Sequence, residues 1–150
     1  MDISADFRTM TDRQLAEMLV ASVADLEDED TTSTLTVNMI IGQVEQDRAV
    51  IVAERDAIAV VRPERYRPDR GDPVLWLLFV RSTCRATGIG KAFVIKLRRR
   101  FERSMPMTLV CNGARRESFF SSCGFQFKER FTDGSAVMVA ELPSKSEQTT

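Results

Sequence analysis

A chain of 150 residues with 43% hydrophobic and 29% charged side chains suits one soluble globular domain with a substantial core. Its net charge of −1 and pI near 5.6 disfavour nucleic acid as a partner. No apolar run approaches the roughly eighteen residues of a membrane helix, and the lack of histidine removes that side chain as general base or metal ligand, so no metal site is expected.

The small net charge hides an asymmetry. Residues 1–60 carry 13 acidic and 4 basic side chains, a balance of −9, whereas residues 81–130 carry 12 basic and 3 acidic ones, a balance of +9. The basic half fits a polyanionic ligand and the acidic half a cationic one, although solvated surface charge gives the same pattern. The first ten residues, MDISADFRTM, lack the basic and apolar regions of a signal peptide. Cys84, Cys111 and Cys123 are an odd set without CxxC spacing, which points away from a disulfide frame and toward a cytoplasmic protein.

In chain order, Thr11 and Gln14 have the spacing of a helix capping box, and Leu15, Met18, Leu19, Val23 and Leu26 continue it as an amphipathic helix. The acidic cluster 25–30 reads as a solvated loop. A second helix is predicted with Val37, Ile40, Ile41 and Val44 on one face, against the helix-weakening Gly42 and the β-branched residues 31–36. Residues 49–53 and 57–61 read as a hairpin around Glu54-Arg55-Asp56. Residues 62–72, rich in proline and arginine and holding the sole tyrosine, Tyr66, form a connection.

The stretch 73–101 is the organising unit. Residues 74–80, VLWLLFV, are apolar throughout and predict a strand buried on both faces. Two glycines follow, Gly88 and Gly90, and then Ile89, Phe93, Leu97 and Phe101 recur every fourth residue as a helix stripe. Strand, glycine loop and helix start together make an anion site, because the first helix amides lack internal partners and sit at the positive end of the dipole. A P-loop would need glycine where Arg85 stands and serine or threonine where Ala92 stands, and the Rossmann fingerprint would need glycine at Phe93.

Residues 107–111 predict a further strand and 113–123 a helix ending at Gly124, a residue suited to the position after a helix end. Phe125, Phe127 and Phe131 alternate as one face of the next strand, 132–135 is a turn and 136–140 the last strand. Residues 143–150 read as a disordered tail after a single domain, 1–142.

Strand, Arg85-x-x-Gly88-x-Gly90 and helix resemble the acetyl-CoA-binding motif of the GNAT N-acetyltransferases, and the run from Asn112 to Gly124-Phe125 resembles that family's second motif. The resemblance spans residues 74–141. It implies an α/β, single-domain GNAT-like fold: a mixed, mostly antiparallel sheet with flanking helices and a V-shaped splay between its two central strands. It also implies a cofactor, acetyl-CoA, and an acetyl group passed directly to a primary amine in a ternary complex. The acidic cluster 25–30 would favour a cationic amine. Association of two copies through the last strands is common in the family.

By the same resemblance the cofactor meets Leu78, Phe79 and Val80 on the strand, the loop and helix start Arg85, Ala86, Thr87, Gly88, Ile89, Gly90 and Lys91, and Asn112 and Phe120 downstream. A backbone amide of residues 78–80 would polarise the thioester carbonyl. The family's tyrosine acid falls at Phe120, which cannot donate a proton, and its strand glutamate falls at Val74. Asp72 and Glu54 are the remaining candidates for the base, each acting through water. The runner-up reading is a GNAT-like interaction protein with weak or no catalysis, of a kind that phages encode.

Overall fold

The computed structural model describes residues 5–26, 35–63, 72–85, 87–102 and 105–140. The capping box forms as the spacing predicts: the Gln14 N–H donates to Thr11 Oγ1 at 3.2 Å and the Thr11 N–H to Gln14 Oε1 at 2.9 Å. Helix α1, Asp12–Leu26, starts there and buries Leu15, Ala16 and Leu19. Helix α2, Val37–Glu45, begins at Thr36, whose hydroxyl accepts the Met39 N–H at 3.2 Å, and buries Ile40 despite Gly42. Phe7, which no predicted element contains, is fully buried in a short 3-10 turn, Phe7–Thr9, and belongs to the same core.

Among the described residues six strands form one sheet: β1 Val50–Ala53, β2 Ala57–Arg62, β3 Val74–Val80, β4 Thr108–Cys111, β5 Phe125–Arg130 and β6 Ala136–Ala140. Their order is β1-β2-β3-β4-β6-β5, and every pairing is antiparallel except β3 with β4. Helices α1 and α2 cover one face over Ile58 and Val60. Helices α3, Ile89–Phe101, and α4, Ala114–Ser122, belong to the opposite face with Ala59, Val61, Leu75 and Leu109. This is the mixed α/β sheet that the resemblance implies.

Two expectations are corrected. Phe93 and Leu97 are buried as the α3 stripe requires, but Ile89 is 37% exposed, because the stripe's first residue overhangs the helix start and Val94 fills the core instead. Phe125 and Phe127 share a face of β5, opposite Ala140 and Met138, with Phe125 buried against Phe120 at 5.8 Å between ring centroids and Phe127 exposed on this edge strand. Phe131 does not continue that face: the register shifts between Phe127 and Glu129, and Phe131 lies exposed past the end of β5. The sequence assignments for 27–34, 64–71 with Tyr66, Ala86, and the tail 143–150 lie outside the described residues.

Candidate functional site

The site begins with a bulge. In the β2–β3 register Val61 faces Leu75 and Val60 faces Leu77, which leaves Trp76 as an extra residue. Such a residue bends its strand and steepens the twist. Parallel pairing with β4 covers only Val74 with Thr108 and Leu75 with Leu109, and stops where Trp76 intervenes. Beyond it β3 keeps β2 on one side and opens on the other, which is the V-shaped splay. The bulge also resets the facing: Leu75 packs in the α3 core, Leu77 in the α1–α2 core, and Leu78 returns to the α3 side. The Arg62 guanidinium lies 4.2 Å over the Trp76 ring.

Strand β3 leads through a turn, Ser82–Cys84, to α3. The turn is pinned by the Arg85 N–H to Ser82 O at 3.3 Å, and Arg85 Nε donates to Val80 O at 3.2 Å. Thr87 Oγ1 donates to Cys84 O. Gly88 precedes the helix with φ 88, a left-handed conformation that a side chain resists, and no side chain caps the α3 start. The first amides of α3 therefore lack both helical and side-chain acceptors. Gly90, by contrast, is buried between Val80 and the Phe119 ring.

The opposite wall is α4, which starts at Gly113, φ 102, again without a side-chain cap. Arg115, Phe119 and Ser122 follow the four-then-three spacing of one helix face, with Arg116 and Phe120 beside them. Phe119 and Phe120 meet edge to face at 5.1 Å. Glu117 points elsewhere and pairs with Arg130 at 2.8 Å.

Between these walls lies a cleft of about 560 Å³. Of the residues assigned from sequence, Leu78, Phe79, Val80, Arg85 and Phe120 line it, as do Gly88, Gly90 and Lys91. Thr87 and Ile89 sit in the same loop and helix start, exposed, and Asn112 is exposed after β4; none of the three is on the lining. Arg115, Arg116, Phe119 and Ser122 line the cleft and were missed. Their spacing within the predicted helix was the signal that could have found them.

Neither carboxylate proposed as base lies on the cleft. Asp72 precedes β3 at the closed end of the V, is 4% exposed, and its Oδ2 accepts the Thr108 hydroxyl at 2.7 Å. Leu78 is six positions further along the chain, about 20 Å of extended strand, so Asp72 lies far from the part of β3 that lines the cleft. Glu54 is in the β1–β2 turn, where Lys96 of α3 holds its Oε2 at 3.1 Å. The lining thus combines apolar side chains of β3 and α4 with four cations, Arg85, Lys91, Arg115 and Arg116, and holds no carboxylate, imidazole or phenol. Among the described residues no cluster suited to a metal ion occurs, and no helix is long and apolar enough to cross a membrane.

No protein-family model matches the chain, and no curated protein matches it in sequence. Solved structures do match in fold. An acetyltransferase from Thermus thermophilus superposes with a TM-score of 0.65 at 16% identity, over 87% of this chain and 88% of that one. The ribosomal-protein-alanine N-acetyltransferase of Brucella melitensis gives 0.61 at 20% identity, over 89% and 97%. A Bacillus subtilis acetyltransferase in complex with CoA gives 0.60 at 14%, over 89% and 95%. The fold of this chain is the GNAT acetyltransferase fold.

Proposed function

We propose that this chain binds acetyl-CoA in the β3–β4 cleft and transfers the acetyl group to a primary amine. The observation that carries this reading is the abrupt end of β3–β4 pairing after Leu75 and Leu109, which opens a cleft leading to the uncapped, glycine-flanked start of α3. The residues present fit the ligand. Gly88 leaves the backbone bare, with nothing within 4 Å of where a Cβ would stand, and Arg85 and Lys91 add positive charge beside it. Leu78, Val80, Phe119 and Phe120 offer an apolar channel for the thin arm of the cofactor.

Bound acetyl-CoA supplies an activated thioester carbonyl open to an amine. The chain's part is to hold and to shield. Residues 77–80 present main-chain groups along the open edge of β3, suited to pairing with an amide-bearing arm and to donating an N–H toward a carbonyl oxygen. The phenylalanines of α4 keep water from that edge. No lining residue is a proton donor of the phenol kind, so protons leave through water, forgoing a factor of about 10² to 10⁴ in rate that a placed acid or base contributes. The amine is cationic before it reacts, in keeping with the −9 balance of residues 1–60.

That same lining favours a second reading, a GNAT-fold interaction protein that retains the cofactor and turns it over poorly. Calorimetric titration with acetyl-CoA and CoA, followed by thiol release with a panel of amines, separates the two. Binding with amine-dependent thiol release supports the transferase. Binding with no release for any amine supports the second reading, and no binding by a folded sample removes acetyl-CoA from both.

A further inference from the structure

Two of the four cations that line the cleft do not belong to the α3 start. Arg85 and Lys91 flank that helix start, whereas Arg115 and Arg116 come from the first turn of α4 on the opposite wall. On these helices Lys96 pairs with Glu54 and Arg98 with Glu102, and α4's own Glu117 is taken by Arg130; Arg99 and Arg100 of α3 have no carboxylate partner among the described residues but lie off the cleft lining. Arg115 and Arg116 are exposed and have no carboxylate partner among the described residues. Two adjacent unpaired guanidinium groups raise the local potential with nothing in the fold to balance it, which suits an anion brought by the ligand.

Their position separates that anion from the first. A Cβ on Gly90 would stand 3.3 Å from the Phe119 ring, so Phe119 marks where α4 meets the α3 start. Arg115 lies four residues earlier on the same face of α4, about 6 Å along the axis toward its N-terminus. The arginine pair is thus one turn removed from the Gly88–Lys91 cradle.

We propose that Arg115 and Arg116 recognise a second phosphate on the same ligand, the 3′-phosphate on the ribose of coenzyme A, and make the cleft selective for acetyl-CoA over its dephospho form. The inference rests on the acetyl-CoA reading and deepens it. The ribose sets this phosphate apart from the pyrophosphate, as the two cation groups are set apart in the cleft.

The test is calorimetric titration of the full chain with CoA and with dephospho-CoA, in the wild type, in Arg115→Ala/Arg116→Ala and in Arg115→Lys/Arg116→Lys. The wild type should prefer CoA by about tenfold or more, as charge-assisted contacts to one phosphate allow. The alanine pair should bind both ligands alike, at the wild type's affinity for dephospho-CoA, and the lysine pair should recover part of the preference. Added salt should erode the preference in the wild type. Equal wild-type affinities would overturn the inference and leave the acetyl-CoA reading standing. An equal loss for both ligands in the alanine pair would also overturn it, by reducing the arginines to a general field. Binding of neither ligand by folded wild type would overturn both.

Discussion

A methyl group on Gly90 would lie 3.1 Å from Cγ2 of Val80, the last residue of β3, and 3.3 Å from the Phe119 ring. The glycine is where α3, the end of β3 and α4 come closest around the cleft. Gly88, two residues earlier, has open space and a left-handed backbone, so the two glycines of one motif answer different demands. Gly88→Ala should lower stability by about 1 kcal/mol through backbone strain. Gly90→Ala relieves some helix entropy but pushes Val80 and Phe119 apart, so it should weaken acetyl-CoA binding more than it changes the melting temperature. Melting curves and titrations on both variants check this; a Gly90→Ala protein with wild-type affinity would show that the packing around it yields freely.

How much of this was legible follows from what each residue does. The glycine loop and the α3 start were legible because glycines and a helix start leave a local trace. The bulge at Trp76 was not, since VLWLLFV is apolar throughout and an inserted residue interrupts no alternation that could be seen. That Asp72 stands off the cleft depends on where the β3–β4 pairing ends, and the exposure of Phe127 on which strand ends the sheet; neither leaves a local trace in the sequence. Arg115 and Arg116 were visible as residues, but their facing across the cleft is set by where α4 packs.

Asp72 should behave as a structural carboxylate. Its Oδ2 takes the Thr108 hydroxyl at the point where β3 and β4 are still paired. Asp72→Ala leaves that hydroxyl without its acceptor and should lower stability by about 1–3 kcal/mol. Turnover per folded molecule should change less than threefold. A hundredfold loss of turnover with the fold intact would return Asp72 to the role of base.

Phe120 is 8% exposed and lines the cleft while packing edge-on against Phe119 and Phe125. Phe120→Tyr adds a proton donor with little added volume. If protons now leave through water, the variant should raise amine-dependent thiol release by about tenfold or more, within the range that general acids contribute. Unchanged turnover with unchanged stability would mean that proton transfer does not limit the rate.

The three thiols should divide by burial. Cys111 and Cys123 are 7% and 2% exposed, and burial pushes both above the ordinary thiol value of 9.0, with the Glu117 carboxylate adding to the effect at Cys111. Cys84 is only partly buried. A thiol reagent at neutral pH should label Cys84 promptly and the other two only after unfolding. The folded chain keeps its two buried protons to higher pH than the unfolded chain. The stability from this difference is complete below about pH 9 and is lost as pH rises through the folded thiols' range. Denaturant melts from pH 8 to 10.5 should fall less steeply for Cys111→Ala/Cys123→Ala than for the wild type. Parallel slopes would assign the decline to other groups.

Arg81 joins three parts of the chain just after β3. Its Nε meets Asp56 Oδ1 at 3.0 Å, Nη2 donates to Ala5 O, and its guanidinium lies 4.2 Å over the Phe7 ring. Phe7 in turn packs on Phe79 of the cleft wall, ring centroids 6.0 Å apart. One side chain therefore ties the N-terminal turn and the β1–β2 turn to the strand end from which the cradle loop departs. Arg81→Ala removes a half-buried ion pair and a ring contact, and should lower stability by about 2–3 kcal/mol. Arg81→Lys keeps the charge but cannot serve the carboxylate and the carbonyl with one planar fork, so it should recover only part of that loss. Because Asp56 is left without its cation in Arg81→Ala, the double variant with Asp56→Ala should be less destabilised than the two single losses added together. Additive losses would mean that the Asp56 pair contributes nothing and that Arg81 acts through Phe7 and the Ala5 carbonyl alone.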